Sequence, residues 1–116
     1  RVLHMVCAHD SGMMINPDQV RAQCEGNLVW GIGMVLSDQL SVRESRVSAN
    51  NFAQAPVPRM TDVPAMNIVL VNSEKPPSGA GETAIVASAG AIANAIRDAT
   101  GFRPTHFPVN PDDFME

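Results

Sequence analysis

The chain has 116 residues, the length of a single domain, and its 45% hydrophobic and 17% charged side chains are typical of a folded globular protein. Its eight basic and twelve acidic residues give a net charge of -4, and the basic residues are scattered, which argues against a nucleic-acid partner. The longest apolar run, residues 84–96, is shorter than the roughly 20 residues of a membrane span, so we expect none.

The chain opens on a strand-like apolar run, residues 2–9, which ends at the turn formers Asp10 to Gly12. No methionine or polar leader precedes this run, so we expect the chain to be part of a longer protein. Cys7 and Cys24 lie in apolar contexts without the close Cys and His neighbours of a metal site. We therefore predict that both are reduced core thiols.

A first helix is predicted after Asn16, which suits an N-cap because Pro17 follows at the first helical position and Gln19 lies three residues on. Apolar residues then recur at spacings of three and four, and the opposite face is also small or apolar, which predicts burial on all sides from residue 26 onward. Each interior glycine costs about 1 kcal/mol relative to alanine. We expect the compensation to be close approach, either of the sheet or of a ligand, at Gly26, Gly31 and Gly33.

The middle of the chain carries weaker signals. Residues 39–49 alternate around Arg43 to Ser45, which indicates a hairpin although the usual Asn-Gly or Asp-Gly turn is absent. Residues 50–64 contain three prolines and are predicted to form an extended connector. Residues 66–71 are a β-branched strand that leads directly into the glycine-containing loop 72–81.

A second buried helix is predicted after Glu82 and up to Ala99, with Gly101 as its C-terminal stop. The tail, residues 102–116, contains three further prolines, and we expect it to lie as an extended strap on the surface. The predicted fold class is α+β, with two buried helices packed on a small mixed or antiparallel sheet.

The order of strand, glycine-containing loop and helix is also found in phosphate-binding sites. A P-loop requires Lys and Ser or Thr after its last glycine, whereas this chain has Glu82 and Thr83. A dinucleotide-binding loop requires a third glycine, which is missing after Gly81. The loop therefore holds a carboxylate, and on the loop alone Glu82 is equally consistent with a buried general base and with a partner of the helix dipole.

Five short motifs follow one another over nearly the whole chain, and they are Ile15-Asn-Pro17, Gln23-Cys-Glu-Gly26, Asn51-Phe52 with Arg59-Met60, Gly79-Ala-Gly-Glu82, and Ala91 to Ile96 continuing to Gly101. Together they resemble the C-terminal part of the molybdenum-cofactor-binding subunit of the xanthine dehydrogenase/aldehyde oxidase superfamily. The likeness is strongest to the large (beta) subunit of isoquinoline 1-oxidoreductase-type enzymes. By this resemblance, residues 1–116 are the C-terminal portion of a molybdopterin-binding domain.

The resemblance implies that Glu82 is the active-site base of a molybdenum hydroxylase. Such an oxidoreductase hydroxylates an N-heterocycle or an aldehyde with oxygen derived from water. The resemblance also implies that the side chain of Gln23 and the segment Gly79, Ala80 and Gly81 contact the molybdopterin, in a dinucleotide form. It implies no metal ligand among the residues of this chain.

The partners implied by the resemblance are the rest of the molybdopterin-binding subunit and an iron–sulfur subunit. The chain itself has no cysteine-rich motif that could hold iron–sulfur clusters. With only part of the pocket, the chain is expected to be inactive alone. Related subunits are cytoplasmic or periplasmic, which leaves the compartment open, and the alternative function is that of a non-catalytic packing or assembly domain with the same fold.

Overall fold

A computed structural model describes residues 1–114, so the last two residues of the predicted strap lie outside the described residues. The elements follow the predicted order and confirm the α+β class. They are β1 (His4–His9), α1 (Pro17–Leu36), β2 (Val42–Arg43), β3 (Arg46–Val47), β4 (Ala65–Leu70) and α2 (Ser88–Thr100), with 3₁₀ turns at Met60–Asp62, Thr83–Ile85 and Pro111–Phe114.

The strands form two separate two-stranded sheets. β1 and β4 pair in parallel, with His4 opposite Ala65 and His9 opposite Leu70. Parallel strands require a long crossover, and here α1 lies within it. The expected antiparallel pairing is confined to the hairpin β2–β3. Because β1 and β4 run in the same direction, the segments that follow them leave the sheet at the same edge.

The start of α1 is confirmed, since the side-chain oxygen of Asn16 accepts a hydrogen bond from the Gln19 N–H at 3.1 Å. The prediction that α1 is buried on all sides is wrong. Trp30 and Met34 are 51% and 49% exposed. The reason is that the sheet, α2 and the 3₁₀ turn before α2 pack against α1 and together cover only part of its circumference.

The core lies between α1, α2 and the inner face of β1 and β4. Both cysteines are free thiols, as predicted, and Cys24 is fully buried there. Burial raises the pKa of the Cys24 thiol, which favours its protonated form. The buried apolar residues are Met5, Cys24, Leu28, Ile32, Val35, Ile68, Ile92 and Val109.

The tail is tied to the first helix, because the Val109 N–H donates to the Val35 carbonyl at 2.8 Å. Gly101, with a φ of 80°, ends α2 in the left-handed conformation and confirms the predicted stop. The predicted start of α2 is too early, since the helix begins at Ser88 and a 3₁₀ turn follows Glu82. None of the helices among the described residues has the length and apolar character required to cross a membrane.

Close approach is confirmed at two of the three glycines of α1. A Cβ on Gly31 would overlap the Ser88 Cβ and lie 2.7 Å from its Oγ, and a Cβ on Gly33 would lie 2.8 Å from the Pro58 Cγ. Around Gly26 there is no described protein atom within 4 Å, so close packing by the protein is wrong at this position, and proximity to a ligand stays a prediction there. The neighbours belong to α2 and to a loop rather than to the sheet.

The substitution Gly31→Ala is expected to destabilise the chain. Overpacking of this kind costs about 1–3 kcal/mol, which outweighs the gain of about 1 kcal/mol in helix propensity. The control is Gly90→Ala in α2, where an added Cβ meets nothing within 4 Å, so that only the favourable propensity change acts. Urea unfolding followed by circular dichroism measures both changes, and equal stabilisation by the two variants would contradict the close contact.

Candidate active site

The glycine-containing loop between β4 and Glu82 is anchored at its beginning to the turn that follows β1. The Met13 N–H donates to the Lys75 carbonyl at 2.9 Å, and the Ser78 N–H donates to the Ser11 carbonyl at 2.8 Å. Gly12 makes this contact possible, because its φ is 73° and a Cβ there would overlap the Pro76 carbonyl oxygen. The turn after β1 therefore fixes where the loop starts.

A charged contact strengthens the same turn. The Asp10 carboxylate accepts a hydrogen bond from the Gly12 N–H at 3.0 Å and lies 3.6 Å from the Lys75 Nζ. The hydrogen bond from Gly12, followed by the charge of Lys75, lowers the pKa of Asp10 below its usual 3.8. Asp10 thus remains ionised at neutral pH and joins the turn to the loop.

The end of the loop is held by two side chains of α1. Gln23 donates from Nε2 to the Gly81 carbonyl at 3.1 Å. Asn27 donates from Nδ2 to the same carbonyl at 2.8 Å and to the Gln23 carbonyl at 2.7 Å. The Asn27 Oδ1 accepts a hydrogen bond from the Ile85 N–H at 3.2 Å. The residues before and after Glu82 are therefore both tied to α1.

Glu82 itself is exposed and has φ and ψ angles of -131° and 4°. It precedes the 3₁₀ turn Thr83–Ile85, and α2 begins only at Ser88. The alternative that Glu82 lies in the first turn of α2 and serves its dipole is therefore wrong. The burial expected for a general base is not supplied by residues 1–114, which leave this side chain in solvent.

The structure brings the predicted site residues Gln23 and Gly79 to Glu82 together, and it adds Asn27, which none of the sequence motifs includes. Asn27 is only 5% exposed. The available signal was a carboxamide four residues after Gln23, at the start of the most apolar part of α1, because such a polar group needs partners when it is buried. In the described part of the chain, no three His, Cys, Asp or Glu side chains are grouped to hold a metal ion.

Residues 1–64 match the family model of a molybdopterin cofactor-binding domain. This match covers more than half of the chain, includes Gln23 and Asn27, and ends before Glu82. The chain belongs to the molybdopterin cofactor-binding domain family. The resemblance carried by the five motifs is confirmed at the level of the family.

Two relatives give the family its chemical context. The chain is 40% identical over 112 residues to a nicotinate dehydrogenase subunit of Pseudomonas putida, a match that covers 96% of the chain and 9% of that protein. It is 32% identical over 105 residues to the beta subunit of the isoquinoline 1-oxidoreductase of Brevundimonas diminuta, covering 90% of the chain and 13% of that protein. The chain thus spans about a tenth of the length of these relatives.

The fold also matches a solved structure. The crystal structure of quinoline 2-oxidoreductase from Pseudomonas putida 86 superimposes with a TM-score of 0.84 at 23% identity, over 97% of this chain and 16% of that chain. At this identity the likeness shows the fold. It confirms that two helices and small sheets in this arrangement occur within a larger oxidoreductase chain.

The residues near Glu82 fit an anionic cofactor such as molybdopterin. Within residues 1–114, the backbone N–H groups of Gly79, Ala80 and Gly81 have no protein acceptor, and a Cβ on Gly79 would meet nothing within 4 Å. Backbone N–H groups that are not used within the protein can donate hydrogen bonds to the oxygens of a bound anion. The exposed amide of Gln23 lies beside them and offers a further polar group.

We expect Gly12→Ala to destabilise the chain more than Gly101→Ala. Both glycines have positive φ, which costs an alanine about 1–2 kcal/mol. Only at Gly12 does the new Cβ also overlap the Pro76 carbonyl, since the Cβ position at Gly101 is open. Chemical unfolding of the two variants separates the cost of positive φ from the cost of the overlap. Equal destabilisation would show that the Pro76 carbonyl is not in close contact with Gly12.

The contact of Asp10 predicts a pH-dependent stability. Because its pKa is lowered in the folded state, the carboxylate stabilises the fold above the unfolded value near 3.8, and this contribution is lost as the pH falls through the folded value. Asp10→Asn is therefore expected to be less stable than wild type at pH 7, and the difference is expected to be smaller at pH 3. The measurement is urea unfolding at both pH values. In a chain that already carries Lys75→Met, the loss of stability caused by Asp10→Asn at pH 7 should be smaller.

Proposed function

We propose that this chain supplies the catalytic glutamate and part of the cofactor pocket of a molybdenum hydroxylase. The observation that carries the proposal is that the backbone on both sides of Glu82 is fixed to α1 while its carboxylate is left free. A reacting group that is held by its backbone, with its side chain available, is what a general base requires.

In this function Glu82 accepts a proton from the water-derived oxygen that is transferred to the substrate. Its carboxylate is exposed in this chain, so the remainder of the molybdopterin-binding subunit has to close the pocket over it. That closure excludes bulk water from the carboxylate and brings it against the bound substrate. The isolated chain, which has only one side of the pocket, is accordingly inactive.

Molybdopterin, in a dinucleotide form, supplies the redox centre that takes up two electrons from the substrate. The N–H groups of Gly79, Ala80 and Gly81 and the amide of Gln23 are the groups of this chain that would hold it by donating hydrogen bonds. An iron–sulfur subunit then carries the electrons away. Residues 1–116 act as the C-terminal portion of the molybdopterin-binding domain in this assembly.

The proposed substrate is a nitrogen heterocycle, with an aldehyde as the second possibility. Nicotinate and isoquinoline, after which two relatives are named, are both electron-poor nitrogen heterocycles. Their ring carbon next to nitrogen is susceptible to attack by a nucleophilic oxygen. A base that generates this nucleophile suits both compounds.

The test is Glu82→Gln in the complete enzyme that contains this chain. The substitution keeps the shape of the side chain and removes the basic group, so we expect kcat to fall by about 10²–10⁴-fold while the bound molybdenum content is unchanged. Turnover is measured as substrate-dependent reduction of a dye, with a nitrogen heterocycle and with an aldehyde.

The matched control is Glu74→Gln, because Glu74 is also an exposed glutamate of the same loop. This variant is expected to retain the wild-type kcat. If Glu82→Gln also turned over at the wild-type rate, the catalytic assignment would be wrong, and a packing or assembly domain would describe the chain instead.

A further inference from the structure

The contact between α1 and the segment carrying Glu82 runs along one face of the helix. Gln23, Asn27 and Gly31 are spaced four residues apart, so they lie in one row. Gln23 and Asn27 bind the Gly81 carbonyl, and Gly31 accommodates Ser88 one turn further on. This row determines how the segment from Gly81 to Ser88 lies on α1.

Asn27 is the central member of the row and uses its full carboxamide. Its Nδ2 donates hydrogen bonds to the carbonyls of Gln23 and Gly81. Its Oδ1 accepts a hydrogen bond from the Ile85 N–H. No other neutral side chain of this size offers donors and an acceptor in this planar arrangement. Because only 5% of Asn27 is exposed, water does not readily replace it as a partner.

These hydrogen bonds fix the backbone of Glu82 from both sides. The Gly81 carbonyl belongs to the peptide unit that ends at the Glu82 nitrogen, so holding it restrains φ of Glu82. The Ile85 N–H also donates to the Glu82 carbonyl at 3.3 Å, so the same group that binds Asn27 restrains ψ of Glu82. The direction of the Cα–Cβ bond of Glu82 follows from these two angles, and this bond sets the point from which the carboxylate extends.

We propose that Asn27 is a positioning residue for Glu82. The inference rests on the proposed function, because it assigns to Asn27 the orientation of the general base. Asn27 does not touch the reacting atoms but sets where the carboxylate of Glu82 stands relative to them. Reaction rates depend steeply on this placement, and a shift of about 1 Å can cost about 10²-fold.

The test is Asn27→Asp in the complete enzyme. The substitution keeps the size and the acceptor for Ile85 but replaces the donor to Gly81 with an oxygen that repels its carbonyl. We expect kcat to fall by about 10–100-fold, consistent with a small displacement of the base, while KM and molybdenum content stay at wild-type values. Hydrogen exchange measured by mass spectrometry should become faster in residues 79–86 and stay unchanged in β1 and β4.

The control is Asn94→Asp, since Asn94 is exposed on α2 and the same change there leaves the loop untouched. It should leave kcat and hydrogen exchange at wild-type values. If Asn27→Asp does not assemble, Asn27→Ala is measured in the same way, because it removes the donor to Gly81 without burying a charge.

The proposal is overturned if kcat and exchange in residues 79–86 are both unchanged. It is also overturned if kcat falls together with molybdenum content or with protection of β1 and β4, because the role is then one of general stability. Failure of the proposed function has a different signature, namely full turnover by Glu82→Gln. If Glu82→Gln turns over fully, hydrogen exchange in residues 79–86 of Asn27→Asp still shows whether Asn27 holds the loop.

Discussion

The buried carboxamide of Asn27 is the interaction on which the arrangement around Glu82 depends. It supplies a donor to the Gly81 carbonyl and an acceptor to the Ile85 N–H. A buried polar group that loses its partner costs about 1–3 kcal/mol. The loop has a second set of anchors at its start, near Ser11 and Lys75. Glu82 is therefore at the end of a segment that is fixed at two places.

The parallel pairing of β1 and β4 explains why both anchors are within reach. Because His9 lies opposite Leu70, the turn after β1 and the loop after β4 leave the sheet side by side. The crossover between these strands contains α1, which packs on β4 and presents Asn27 to the returning chain. Small residues then allow the close contacts, as Gly12 does beneath Pro76. Strand order and residue size together define the position of the loop.

Features set by local sequence could be predicted, whereas those set by distant contacts could not. The N-cap at Asn16 and the stop at Gly101 depend on neighbouring residues, and both are present. The late start of α2 could not be predicted because the Ile85 N–H is bound by Asn27 and by the Glu82 carbonyl, which favours a 3₁₀ turn over an α-helical one. Apolar periodicity likewise could not reveal that Trp30 is exposed, since it does not specify how many partners surround α1.

The way in which Glu82 is held bears on the chemistry that it can perform. Within residues 1–114 no protein donor reaches its carboxylate, so the restraint on Glu82 comes from its backbone, through the contacts at Gly81 and Ile85. A base fixed by hydrogen bonds to its own carboxylate would lose basicity, because donors stabilise the charged form. Restraint through the backbone avoids that loss of basicity. It still lowers the conformational entropy that Glu82 must lose when it reacts. A neutral amide in α1 can thus orient a charged group without competing for its proton.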